Sequence, residues 1–104
     1  MRVLEIWINC PDDETADSIA ESLIDLRLAA CANKHQPVES SYRWKGNVEF
    51  EPEIPLVVKT REDLFDKIVE AVRSIHPYET PSILGVPVEF VNPDYRDWVM
   101  AETA

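Results

Sequence analysis

Leu64, Phe65, Ile68, Val69, Val72 and Ile75 recur at helical spacing, and the run stops at His76-Pro77. An apolar stripe of that period makes a helix with one face to bury. Proline ends it, because it has no N–H to donate and drives the residue before it into extended geometry. Thr60-Arg61-Glu62-Asp63 has the form of a capping box at the other end. Strand-like sequence flanks this helix on both sides. Leu56-Val57-Val58-Lys59-Thr60 leads into it, and Ile83-Leu84-Gly85-Val86-Pro87-Val88-Glu89-Phe90-Val91 follows it. A one-faced helix between two strands must lie across the sheet those strands build, which already restricts the chain to a layered α and β fold.

The remaining segments repeat the arrangement. Residues 2–9 are β-branched, aromatic and apolar on both faces, as a central strand covered on two sides would be. Pro11-Asp12-Asp13-Glu14 opens a helix expected over residues 12–28, with Ala16, Ile19, Ala20 and Leu23 inward. Val38, Ser40, Tyr42 and Trp44 alternate along a strand, and Lys45-Gly46-Asn47 makes a hairpin tip. Pro52 and Pro55 mark the first half of the return strand as an edge, bulge or bend, and Pro87 leaves one side of the last strand without a partner. Asn92-Pro93 caps a short final helix with Tyr95, Trp98 and Val99 inward. The order is β-α-β-β-α-β plus a terminal helix. It is the α+β, ferredoxin-like sandwich with a long hairpin, in a single domain spanning residues 1–104. Such a hairpin overhangs its sheet, exposes aromatic surface and offers unpaired backbone, so a homo-oligomer is expected.

Charge narrows the possible partners. A formal net charge of −10 repels phosphate backbones and anionic lipid, so neither nucleic acid nor membrane is expected to bind. No apolar run approaches the roughly 20 residues of a membrane span, and no charged-then-apolar leader precedes the first strand. A cytoplasmic location with both cysteines reduced is the expectation.

The chemistry-bearing residues cluster where the second helix stops. His76, Tyr78 and Glu79 sit on a stiff corner between Pro77 and Pro81. Cys31 and His35 would share a helix face, but the first helix is ending there, and in a strand they lie roughly 13 Å apart. With no CxxC or HxxxH in the chain, a metal site has to be assembled from distant segments or from different subunits. Lys59 emerges from an apolar strand and could meet an anion, or pair with Glu79, the pairing being favoured. No nucleophile motif and no phosphate-cradling glycine loop is present, so no catalytic activity is expected.

Six segments in order resemble the CutA divalent-cation-tolerance family. They are Pro11–Ala16, Leu28–Asn33, Tyr42–Gly46, Val58–Thr60, His76–Pro81, and Asn92–Tyr95 with Trp98. The resemblance implies a ferredoxin-like subunit, a homotrimer similar in architecture to PII-type signalling proteins, a cytoplasmic location and a role in tolerance of copper and other divalent cations. By position, Cys31 and His76 correspond to the cysteine and histidine implicated in metal binding, and Glu79 is the third candidate ligand. Copper(II) or another divalent metal is then the expected ion, with no organic cofactor. The alternative is a binding or signalling module that takes a small anion or metabolite in clefts between subunits, walled by Lys59, Tyr78 and Trp44.

Overall fold

The first strand sets the inside of the molecule. In the computed structural model, which describes residues 1–104, Val3–Cys10 forms β1. Leu4, Ile6, Ile8 and Cys10 point to one face and are buried. Glu5, Trp7 and Asn9 point to the other and are only half-buried, so β1 is central in the sheet but fully covered on one face rather than two.

Helix α1, Asp13–Asp25, starts where Asp12 accepts a hydrogen bond from the backbone N–H of Thr15 at 2.8 Å. That bond holds the Asp12 carboxyl below its ordinary range. Ala16, Ile19 and Leu23 are buried along its inner face. The helix ends three residues earlier than its apolar pattern suggests. Arg27 adopts φ 59°, the Arg27 N–H donates to Ile24 O at 3.0 Å, and the Leu28 N–H donates to Leu23 O at 2.9 Å. This is a Schellman closure with arginine where glycine is usual, so composition offers no marker for it.

Strands β2 (Cys31–Lys34), β3 (Val38–Trp44) and β4 (Asn47–Arg61) follow. β2 is too short to display alternation, so the sequence does not mark it as a separate strand. β3 and β4 meet at Lys45-Gly46, where φ is 49° and 84°. Two consecutive positive values match the right-handed twist of the paired strands. β4 changes partners along its length: residues 47–53 pair with β3, whereas Ile54–Arg61 pairs with β1 and its Leu56–Lys59 portion also with β2. The change falls at Pro52 and Pro55, and the outer half of β4 has β3 as its sole neighbour, the edge that the prolines required.

A 3-10 turn, Glu62–Leu64, leads into α2, Phe65–Ile75. The expected capping box does not form. The Thr60 hydroxyl donates instead to the Leu28 carbonyl, and Glu62 turns to Arg2, accepting from its backbone N–H at 2.9 Å and its Nε at 3.1 Å. β5 (Ile83–Val88) pairs only with β1. At Gly85 an added Cβ would stand 3.0 Å from two carbons of the Phe65 ring, which is why the strand has no side chain where α2 arrives. α3 (Pro93–Glu102) has proline at its first position, but Asn92 does not cap it; the amide donates to Asp94 at 3.0 Å. Val99 is buried and Tyr95 half-buried, while Trp98 stays 43% exposed, so the inward stripe is narrower than expected.

The sheet order is β2-β4-β1-β5 with β3 continuing alongside β4, and every pairing is antiparallel. With α1 and α2 packed on the Ile6–Val58 face, this is the ferredoxin-like arrangement. The hairpin projects beyond it and stretches the chain to 45 Å, against 25 and 23 Å across.

Cys10 closes the core at the end of β1. Burial first, then the charges of Asp12 and Glu53, push its thiol up from 9.0 to about 11. The unfolded chain loses that proton before the folded one does. This contribution to stability is therefore complete below pH 9 and disappears as pH rises through about 11. Urea midpoints measured from pH 8 upward are expected to fall across that window, with a shallower fall in Cys10→Ala.

Candidate functional site

The His76 corner is built by backbone. Its N–H donates to Val72 O at 2.8 Å as the last helical bond, and its own φ and ψ of −67° and 132° are extended, as a residue before proline must be. The ring is 6% exposed. Nε2 lies 2.8 Å from the Asn9 carbonyl and Nδ1 lies 3.2 Å from the Tyr78 backbone N–H. A carbonyl can only accept and an amide N–H can only donate, so Nε2 carries the proton and Nδ1 receives. The two ring nitrogens are both engaged, and His76 pins the loop to the end of β1. The Tyr78 ring packs against it with centroids 4.7 Å apart.

Beyond that corner the loop faces the hairpin across a cleft of about 600 Å³. Tyr42 and Trp44 of β3 and Glu53 of β4 form one wall; Tyr78 and Glu79 form the other. Glu53 is 7% exposed and makes no ion pair. Burial, then the charge of Glu53, pushes the Tyr78 phenol up to about 12. Tyr42 is raised too, by desolvation and then by Glu51, Glu53 and Glu49. At the rim, Lys45 Nζ lies 3.5 Å from Glu79 Oε2 and 5.5 Å from the centre of the Trp44 ring.

Three of the six residues singled out from the sequence therefore meet here: Trp44, Tyr78 and Glu79. His76 stands directly behind Tyr78, whereas Cys31 and Lys59 lie elsewhere. Cys31 and Lys59 pair across β2 and β4, and Lys59 pairs with Glu5 of β1. Asn9, the anchor of His76, is four residues further along β1, on the order of 13 Å away. The Cys31 thiol lies 3.2 Å from the Tyr95 hydroxyl, tying β2 to α3. Burial, then that bond, pushes the Tyr95 phenol up to about 12. Lys59 does not pair with Glu79, because its ammonium donates to Asn33 Oδ1 at 2.7 Å. His35, just past β2, packs its ring 5.4 Å from that of Trp7 rather than joining Cys31. His76, Cys31 and Glu79 do not form a common centre within one subunit, and no three His, Cys, Asp or Glu side chains are gathered for an ion.

Glu53 is the cleft residue that sequence reasoning missed. It lies between Pro52 and Ile54, in a stretch whose surface carboxylates Glu49 and Glu51 look alike. Only the strand pairing, which sets Glu53 opposite Val38 and next to the first residues paired with β1, turns it inward.

The profile of the CutA1 divalent ion tolerance protein family matches residues 4–102. The chain is 40% identical over 98 residues to the divalent-cation tolerance protein CutA of Thermus thermophilus, covering 94% of this chain and 95% of that one. It is 40% identical over 93 residues to Protein CutA of Mus musculus, covering 89% of this chain but 52% of the mouse protein. The chain thus spans about half the length of that mammalian relative. The structure of the Thermus thermophilus protein superposes with a TM-score of 0.95 at 38% identity, over 98% of this chain and 99% of that one. CutA1 from Oryza sativa gives 0.96 at 33% identity, over 100% and 95%. With sequence profile, identity and superposition agreeing, the chain belongs to the CutA1 divalent ion tolerance family.

Proposed function

We propose that this chain acts as a cytoplasmic homotrimer that contributes to divalent-cation tolerance by binding a divalent metal, copper foremost, without catalysing a reaction. Family membership supports the cellular role. The observation that carries the assembly is the overhanging hairpin. Its β3 edge and the opposite edge of residues 47–53 have no partner, and Val38, Val48 and Phe50 are exposed along it. Open backbone and apolar side chains together suit a second and third copy of the same chain.

The donors fit a metal only across subunits. Glu79 is exposed and is held by one solvent-facing lysine, so its carboxylate is free to exchange partners. Cys31 supplies a soft donor suited to copper at a separate place on the sheet. His76 would join only by giving up the Asn9 carbonyl or the Tyr78 N–H. Sedimentation is expected to return the mass of three chains. Titration of that assembly with Cu(II) is expected to give a binding heat that weakens at least tenfold in Cys31→Ser or Glu79→Gln. A single-chain mass, or an affinity indifferent to both substitutions, would remove the proposal.

Within one subunit Lys59 donates to Asn33 and does not line this cleft, so the alternative reading, an anion or metabolite between subunits walled by Lys59, Tyr78 and Trp44, needs Lys59 from a neighbouring copy.

A further inference from the structure

The cleft between the hairpin and the Pro77–Ser82 loop combines features that surface acidity alone would not produce. Its volume of about 600 Å³ lies within the range of small-molecule sites. Tyr42, Trp44 and Tyr78 give it aromatic walls, Glu53 and Glu79 give it negative charge, and within one subunit no lysine or arginine lines it. Glu53 faces the cleft while nine-tenths buried, with no cationic partner. A carboxylate largely covered by protein, beside the Tyr78 phenol but with no cation of its own, is placed to receive the charge of a bound cation.

We propose that this cleft binds a small organic ammonium ion, with Glu53 as its buried counter-charge and Trp44 as the ring beneath it. The chemistry selects this class over two others. An inorganic anion meets two carboxylates and no base. A bare divalent ion meets only Glu53 and Glu79 among strong donors, and aromatic faces that cannot replace its water. An alkylammonium gives up its water far more readily than a divalent ion, and its carbon body gains from aromatic walls while its charge gains from their faces. The rim already displays this recognition. The ammonium of Lys45 lies 5.5 Å from the Trp44 ring centre and 3.5 Å from Glu79, with both side chains about 70% exposed and free to move. A soluble amine entering the cleft meets the same two groups, with Glu53 beyond them. The inference stands apart from metal binding and holds for protein freed of metal by chelation.

Three ligands with one ring and different charge test it on the chelator-treated, fully assembled protein: benzylammonium, benzyl alcohol and benzoate. Calorimetry is expected to show benzylammonium binding at least tenfold tighter than benzyl alcohol, with no detectable binding of benzoate. Glu53→Gln should weaken benzylammonium at least tenfold. Lys45→Gln should tighten it two- to fivefold by removing the protein's own competing ammonium. Equal affinity for benzylammonium and benzyl alcohol would overturn the proposal, as would benzoate binding or no binding at millimolar ligand. If Glu53→Gln fails to fold, the charge series and Lys45→Gln still decide it. A blocked lysine run in parallel identifies the source of the ammonium: tighter than benzylammonium, a polypeptide side chain; weaker, a free amine.

Discussion

His76→Ala is expected to lower unfolding free energy by about 2–3 kcal/mol in metal-free protein. The ring is 6% exposed and spans two backbone groups, the Asn9 carbonyl and the Tyr78 N–H. Alanine leaves both without their partner and opens a hole beside the Tyr78 ring. A buried acceptor stripped of its donor costs about 1–3 kcal/mol, well above the net worth of an ordinary hydrogen bond. The lost packing adds to it. His76→Gln retains a long amide that can reach the Asn9 carbonyl, so it should recover part of the loss. Urea unfolding in chelator at fixed protein concentration separates this role from metal binding, because oligomer stability varies with concentration. A loss below about 0.5 kcal/mol would mean that the two bonds do not hold the corner.

The other large effect lies in the core. Ile6→Ala is expected to cost about 3–4 kcal/mol. Ile6 is fully buried at the centre of the sheet, paired with Val58 on one side and Gly85 on the other. Glycine has no side chain to move into the space, and Val58 is itself fully buried, so the cavity stays open. Against a total stability of about 5–15 kcal/mol, such a loss is a large fraction of the whole. Thermal unfolding should shift by more than about 10 °C at this chain length. A shift of only a few degrees would show that α1 or α2 collapses into the space. Comparison with Ile8→Ala, whose strand neighbours are Leu56 and Ile83, tests the contribution of Gly85.

The parts of the fold legible in the chain are those written as local periodicity or as backbone restriction. Ala16, Ile19 and Leu23 placed α1, and Leu64, Ile68 and Val72 placed α2. Pro52, Pro55 and Pro87 located the places where a strand would lack a neighbour, because a residue without N–H cannot complete a ladder. Errors fell where a residue departed from its habits. Arg27 in a left-handed conformation ended α1 early, and Thr60 preferred the Leu28 carbonyl to its own helix. Neither choice is visible before the chain has closed on itself.

The candidate site divides in the same way. His76-Pro77 foretold a rigid corner, since proline restricts its predecessor wherever it occurs, and the surrounding motif named the family. Which groups meet at that corner depends on strand register. The pairing of β3 with β4 brings Tyr42, Trp44 and Glu53 to Tyr78 and Glu79, while the pairing of β2 with β4 carries Cys31 and Lys59 to a different part of the sheet. Composition counted twenty carboxylates and could not rank them. Burial did, by enclosing Glu53 among aromatic rings with no counter-charge. Backbone stiffness is a property of neighbours in sequence; a site of this kind is a property of neighbours in space.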